Sequence, residues 1–171
     1  MWDDGSMAIN KLNARQWISC ILFGVQFPMR TGDFCCMFVR DVEMFIEHCE
    51  NKGLAKKTIG SYEQTLRLLM LYLDEQGITQ TEKITHTVIQ NYVKQIKERG
   101  KYTVTSNPNS GNYQERRLDF GKKVSDVTIN NYLRNMRAFF GWCVEEDLIL
   151  RSPVKRGDYI KVERRPLSKI I

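Results

Sequence analysis

The chain has 171 residues, of which 42% are hydrophobic and 27% charged, and its formal net charge is +6. This length and balance predict a soluble globular protein with one core, and they exclude a mostly disordered chain. The most apolar run, Trp17–Phe27, is shorter than the roughly twenty residues that cross a bilayer, so we expect no membrane partner.

The positive charge is concentrated near the C-terminus. Residues 151–171 hold seven Lys or Arg and two acids, whereas residues 1–150 hold 19 bases and 18 acids. A basic segment of this kind is either a solvated tail or a contact for an anionic partner, and the composition leaves both open.

The five cysteines are odd in number and include no CxxC pair. This pattern predicts reduced thiols and a cytoplasmic location rather than a secreted disulfide framework. His48 and Cys49 are adjacent candidate metal ligands, but a zinc site needs about four. We therefore expect no metal site.

In chain order, residues 1–36 show no clean period and remain an unassigned extension. From residue 37 onward, apolar residues recur three and four positions apart, which predicts four amphipathic helices. The predicted buried stripes are Phe38, Val42, Phe45, Ile46 and Cys49 in the first helix, Ile59, Tyr62, Leu66, Leu69 and Leu73 in the second, Ile89, Val93 and Ile96 in the third, and Ile129, Leu133, Met136, Phe140 and Val144 in the fourth.

Capping residues mark the ends of these helices. Gly53, Gly77 and Gly100 stand where the first three helices should stop. Thr58, Thr85 and Ser125 are predicted to cap the starts of the second, third and fourth helices.

A long insertion separates the third and fourth helices. It contains the turn-rich run Asn107–Gly111, and "YTVT" at residues 102–105 alternates like a short strand, which leaves a two-stranded hairpin open. No alternating strand–helix pattern occurs elsewhere. We therefore predict an all-α fold, a small four-helix bundle with this insertion.

No catalytic or nucleotide-binding motif occurs in the chain. His48 and His86 are the only histidines, and neither lies among residues that would make it a catalytic base. We expect no catalytic residue, no cofactor and no small-molecule substrate.

The polar faces of the second and fourth helices suggest a different role. Their starts combine hydroxyls, lysines and the positive end of a helix dipole, which suits phosphate. Asn and Arg side chains further along the fourth helix, opposite its buried stripe, are expected to face outward and suit base edges. The candidate residues are Lys56, Lys57, Thr58, Ser61 and Gln64, then Lys122, Lys123, Thr128, Asn130, Asn131, Arg134 and Arg137. Ordinary surface residues of amphipathic helices would look the same.

Three segments resemble the N-terminal core-binding domain of the tyrosine recombinases, the phage-integrase family: "GLAKKTIGSYEQTLRLLMLYLDEQGI", "ITHTVIQNYVKQIKERG" and "VSDVTINNYLRNMRAFFGWCVEEDLILRSPV". The residues in register with the family pattern are Thr58, Tyr62, Leu66, Leu73, Thr128, Ile129, Asn130, Leu133, Met136, Arg137, Phe139, Phe140 and Trp142. Ala55 replaces a common Ser, and Ser152-Pro153 stands where Asn-Pro is usual.

The resemblance implies a SAM-like domain over residues 37–153 that forms half of a clamp around duplex DNA at a recombination site. It also implies that residues 154–171, with Arg164 and Arg165, are a basic linker toward a separate catalytic domain that this chain lacks. Other recombinase protomers are further expected partners. The alternative is a truncated helical module that associates with full-length recombinase.

Overall fold

The computed structural model describes residues 37–104 and 117–162. Its helices are α1 (Met37–Asn51), α2 (Lys56–Glu75), α3 (His86–Arg99) and α4 (Asp126–Glu145), with 3-10 turns at Thr81–Lys83 and Arg156–Asp158. No strand occurs in these two ranges, which confirms the all-α prediction. The unassigned extension 1–36, most of the hairpin segment and Arg164 and Arg165 lie outside the described residues.

The chain divides into two compact units, one ending at Lys83 and the other beginning at Ile84. In the first unit, α1 packs against α2. The rings of Phe45 and Tyr62 lie 5.4 Å apart between their centroids, and Leu66 and Leu69 of α2 are completely buried. The predicted stripes of the first two helices are therefore core residues, except that Ile46 and Tyr62 are only half-buried.

The second unit has a core that is rich in aromatic side chains. On α3 the buried stripe is Ile89, Tyr92 and Ile96, whereas the predicted Val93 is half-buried. On α4 the predicted stripe is buried up to Phe140, and Phe139, Trp142 and Cys143 are buried in addition. The periodic pattern missed these residues because α4 is covered around most of its circumference and a single stripe describes only one face.

The starts of the helices agree with two of the three predicted caps. The Thr85 hydroxyl accepts from the Val88 N–H at 3.4 Å, and the Ser125 hydroxyl accepts from the Thr128 N–H at 3.2 Å. The prediction for Thr58 is wrong, because α2 already begins at Lys56 and Ala55 occupies the cap position without a side-chain bond. The Thr58 N–H donates to the Ala55 carbonyl within the first turn.

The ends of α2 and α4 use the same backbone motif with different residues. After α2, Gly77 has a φ of +67°, and the Ile78 N–H donates back to the Leu73 carbonyl at 2.9 Å. After α4, Asp147 takes the equivalent position with a φ of +58°, and the Leu148 N–H donates to the Cys143 carbonyl at 2.9 Å. Glycine adopts this left-handed conformation without strain, whereas an aspartate does so at a cost.

Asp147→Gly should therefore stabilise the protein by about 0.5–1 kcal/mol, because relief of the left-handed strain exceeds the entropy that a new glycine adds to the unfolded chain. Urea denaturation followed by circular dichroism measures this difference. Glu146→Gly is the matched control. It also removes one negative charge, but Glu146 has a φ of −92°, so there is no left-handed strain to relieve. That control should destabilise by a similar amount, and equal shifts for both variants would contradict the backbone explanation.

A buried carboxylate ties α1 to the turn that ends the first unit. The Thr81 hydroxyl donates to the Asp41 carboxylate, and the Phe38 N–H donates to the Thr79 carbonyl at 3.2 Å. Burial is the main cause that raises the pKa of Asp41 above its ordinary value of 3.8, and the hydrogen bond from Thr81 offsets part of this rise. The folded protein thus holds the Asp41 proton more tightly than the unfolded chain does.

Because the pKa of Asp41 is raised in the folded state, the stability it contributes is greatest below 3.8 and is lost as pH rises through the folded-state pKa. Asp41→Asn keeps an acceptor for Thr81 and removes the ionisation. We expect the stability of the variant relative to the wild type to increase as the pH rises from about 3 to about 7, because only the wild type loses the contribution of Asp41. Melting temperature measured against pH tests this. Asp74→Asn, at an exposed position of α2, is the control and should show no such trend.

Candidate nucleic-acid interface

The two units carry opposite net charges. Residues 37–83 of the first unit contain six Lys or Arg and eight Asp or Glu. Residues 84–104 and 117–162 of the second contain thirteen Lys or Arg and seven acids. The excess of basic residues is therefore not confined to residues 151–171 but extends over the second unit. An anionic partner would be attracted to this unit.

The candidates of the first unit lie at and beyond the start of α2. Lys56, Lys57 and Thr58 are exposed in its first turn, and Ser61 and Gln64 are exposed further along. Lys57, Ser61 and Gln64 are spaced four and three residues apart, so they share one face of the helix. This face joins a lysine at the positive end of the helix dipole to two uncharged polar side chains.

The candidates at the start of α4 are partly engaged with one another. Lys122 and Lys123 are exposed just before the helix. The Ser125 hydroxyl caps α4 and lies 2.8 Å from the Thr128 hydroxyl, so Thr128 takes part in the cap. The lysines are thus the groups in this turn that remain available to an anion.

Further along α4, the candidates differ in exposure. Asn131 and Arg134 are exposed, and the Arg134 guanidinium donates to the Asn131 side-chain oxygen at 3.3 Å. Arg137, which we expected to face outward, is half-buried. Asn130, which we expected to face outward, is also half-buried. Its side-chain N–H donates to the Ile160 carbonyl and its oxygen accepts from the Ile160 N–H, each at 2.8 Å.

A pair of backbone hydrogen bonds holds the ends of the insertion together. We call residues 100–104 and 117–122 the neck. The Lys101 N–H donates to the Lys122 carbonyl at 2.9 Å, and the Gly121 N–H donates to the Lys101 carbonyl at 3.0 Å. Gly100 has a φ of +81°, and a Cβ there would overlap the Gly121 carbonyl oxygen. The position of Lys122 is therefore set by the neck as well as by α4.

An arginine links the two sides of the neck through its side chain. The Arg117 guanidinium lies 4.3 Å from the centroid of the Tyr102 ring, donates to the Tyr102 hydroxyl at 2.7 Å, and donates to Asp119 at 3.0 Å. The hydrogen bond from Arg117 is the main cause that lowers the pKa of Asp119. Arg117 and Lys101 both pair with Asp119, so these cations are already neutralised in part.

The chain after α4 is held against the rest of the second unit. We call residues 152–162 the strap. Pro153 and Val154 are buried in it, and the Pro153 carbonyl lies 2.9 Å from Nδ1 of His86. Nε2 of His86 lies 3.5 Å from Asp158, whose second oxygen accepts from the Lys155 N–H at 2.7 Å. Sequence reasoning treated His86 as an ordinary residue, because nothing local to it indicates this distant contact.

The basic side chains of the strap remain at the surface. Lys155, Arg156 and Lys161 are exposed, as is Arg151 just before the strap. This described part of the predicted linker therefore combines an anchored backbone with exposed cations.

Residues 42–108 match the family model of the phage integrase N-terminal SAM-like domain. The match runs from α1 beyond the end of α3, and it confirms the resemblance to the core-binding domain of the tyrosine recombinases that the sequence indicated. Neither a search of curated proteins nor a search of solved structures found a match.

Two further features of the described residues bear on the expectations from sequence. Across residues 37–104 and 117–162, no helix is both long and apolar enough to cross a membrane. The same ranges contain no group of three or more His, Cys, Asp or Glu that could hold a metal ion. Cys49 and Cys143, the two cysteines in these ranges, are buried and are not in a disulfide, and burial raises the pKa of the Cys49 thiol.

Proposed function

We propose that this protein binds duplex DNA as the core-binding part of a tyrosine recombinase, in the integration and recombination of a mobile element in the cytoplasm. The family match supports a recombinase-related role. The observation that carries the DNA-binding part of the proposal is the exposed cationic surface of the second unit. Its members are Lys122, Lys123, Arg134, Arg151, Lys155, Arg156 and Lys161.

The chemistry of these residues fits two kinds of DNA contact. None of the seven cations forms an ion pair with an acid of the described ranges, so no ion pair within those ranges has to break before they neutralise phosphates. Arg134 and Asn131 are the exposed polar pair of α4 and have the donors and acceptors that recognise guanine and adenine edges. Lys56, Lys57, Thr58, Ser61 and Gln64 are proposed as further contacts from the first unit.

Lys122→Gln combined with Lys123→Gln should weaken duplex binding and reduce its salt dependence. Each phosphate contact contributes about 0.9 to the slope of log affinity against log salt, so the slope should fall in magnitude by up to about 1.8. Fluorescence anisotropy of a labelled duplex of about 25 base pairs at several salt concentrations measures both quantities.

The matched control is Lys94→Gln combined with Lys97→Gln, which removes the same charge from exposed positions on α3. We expect this control to retain most of the wild-type slope. Equal losses from the two double variants would mean that net charge alone attracts the DNA and that the start of α4 makes no specific contact. No binding by the wild type at low salt would refute the proposed function.

A second candidate function is association with other recombinase protomers, and apolar exposure favours it. Leu118 and Leu150 are fully exposed in the second unit, and Phe120 is 44% exposed. Exposed apolar side chains mark a protein contact when they form one contiguous patch, so this candidate requires these three residues to lie together. In such a role the chain would be a helical interaction module rather than a clamp on DNA.

Light scattering coupled to size-exclusion chromatography separates the two functions. If the second is correct, the protein alone should associate at micromolar concentration, and Leu118→Ser with Leu150→Ser should return it to a monomer because the apolar contact is lost. Met44→Ser, at an exposed position of the first unit, is the control. A wild-type monomer that nevertheless binds DNA would contradict this candidate.

A further inference from the structure

The strap presents cations to the surface while its backbone is bonded at both ends. From this arrangement we propose that Asn130 is a positioning residue, which holds the strap so that Lys155, Arg156 and Lys161 meet DNA phosphates, and that it does not itself read a base. The inference rests on the proposed function, since it assigns a role within the same DNA contact.

The hydrogen bonds of Asn130 are the first argument. Its carboxamide satisfies both backbone groups of Ile160, donating to the carbonyl and accepting from the N–H, each at 2.8 Å. A bidentate contact to an adenine edge would use the same N–H and oxygen edge of the carboxamide, so Asn130 cannot make that contact while it holds the strap. Losing it would leave two backbone groups without their partner.

The second argument is the tie at the other end of the strap. A carbonyl oxygen can only accept, so Nδ1 of His86 must donate to Pro153 across the 2.9 Å contact. Asp158 faces Nε2 of the same ring at 3.5 Å and also accepts from the Lys155 N–H. Lys155 and Arg156 therefore lie between two anchored points, and Lys161 directly follows the second.

The physical consequence is preorganisation. Cations on a backbone that is already ordered lose less conformational entropy when they bind phosphate than cations on a free segment do. Asn130 would thus raise DNA affinity without touching DNA. Its neighbour Asn131 is exposed, and among the described hydrogen bonds its side chain is bonded only to Arg134. We therefore expect Asn131 to affect DNA affinity by direct contact and not through the strap.

The first measurement needs no DNA. Hydrogen exchange of the Ile160 amide should accelerate in Asn130→Ala, because its acceptor is removed, and should stay at the wild-type rate in Asn131→Ala. Ile160→Pro removes the same N–H from the strap and leaves α4 unchanged. It has no amide hydrogen to exchange, so it serves as the second variant in the affinity measurement if Asn130→Ala is poorly folded. An unchanged exchange rate in Asn130→Ala would overturn the proposal.

The second measurement is a double-mutant cycle on duplex affinity. We expect Asn130→Ala to lower affinity about five- to tenfold in the wild-type background and to have almost no effect when Lys155→Gln and Arg156→Gln are already present. Asn131→Ala should act additively with the same pair. An additive loss from Asn130→Ala would mean that it acts independently of the strap cations, and the proposal would fail.

The two failures can be told apart. If the wild type binds no duplex at all, the proposed function fails and the positioning role fails with it. If the wild type binds and the Lys122 and Lys123 variant shows its reduced salt slope, but the cycle is additive, only the role of Asn130 is refuted.

Discussion

The burial of α4 constrains the second unit more than any other feature does. Eight of its side chains are buried, and Phe139 and Phe140 make an edge-to-face contact with 5.0 Å between ring centroids. Few positions on the helix are left for a partner. The polar side chains that remain exposed, chiefly Asn131 and Arg134, are therefore those that the core does not need, and any recognition by α4 must use them.

The same constraint explains why the loops around α4 hold so many of the exposed cations. A helix that is covered on most sides cannot display a broad basic face. Lys122 is instead placed by the neck, and Lys155 and Arg156 are placed by the strap. Both segments are anchored through backbone hydrogen bonds, so their cations are displayed from an ordered main chain. Residues 37–83, the described part of the first unit, contain more acids than bases.

The candidate site could be predicted from the sequence only in part. Arg134 was predicted correctly to be exposed, because a charged side chain opposite an apolar stripe faces the solvent, whereas Arg137, predicted by the same reasoning, is half-buried. For Asn130 the same reasoning indicated the surface, yet its carboxamide is bonded to Ile160, thirty residues away. Helical spacing places a residue on a face, but it cannot reveal which distant backbone group will meet that face.

By itself, the sequence determined the all-α class, the presence of the four described helices, the caps at Thr85 and Ser125, and the likeness to the phage integrase SAM-like domain. These depend on interactions within a few residues, where period and capping chemistry act. Only the tertiary structure decided the neck, the strap and the contacts of His86 and Asn130. The contacts that hold them together join residues 15 to 72 positions apart, and such contacts follow from packing of the whole unit rather than from local pattern.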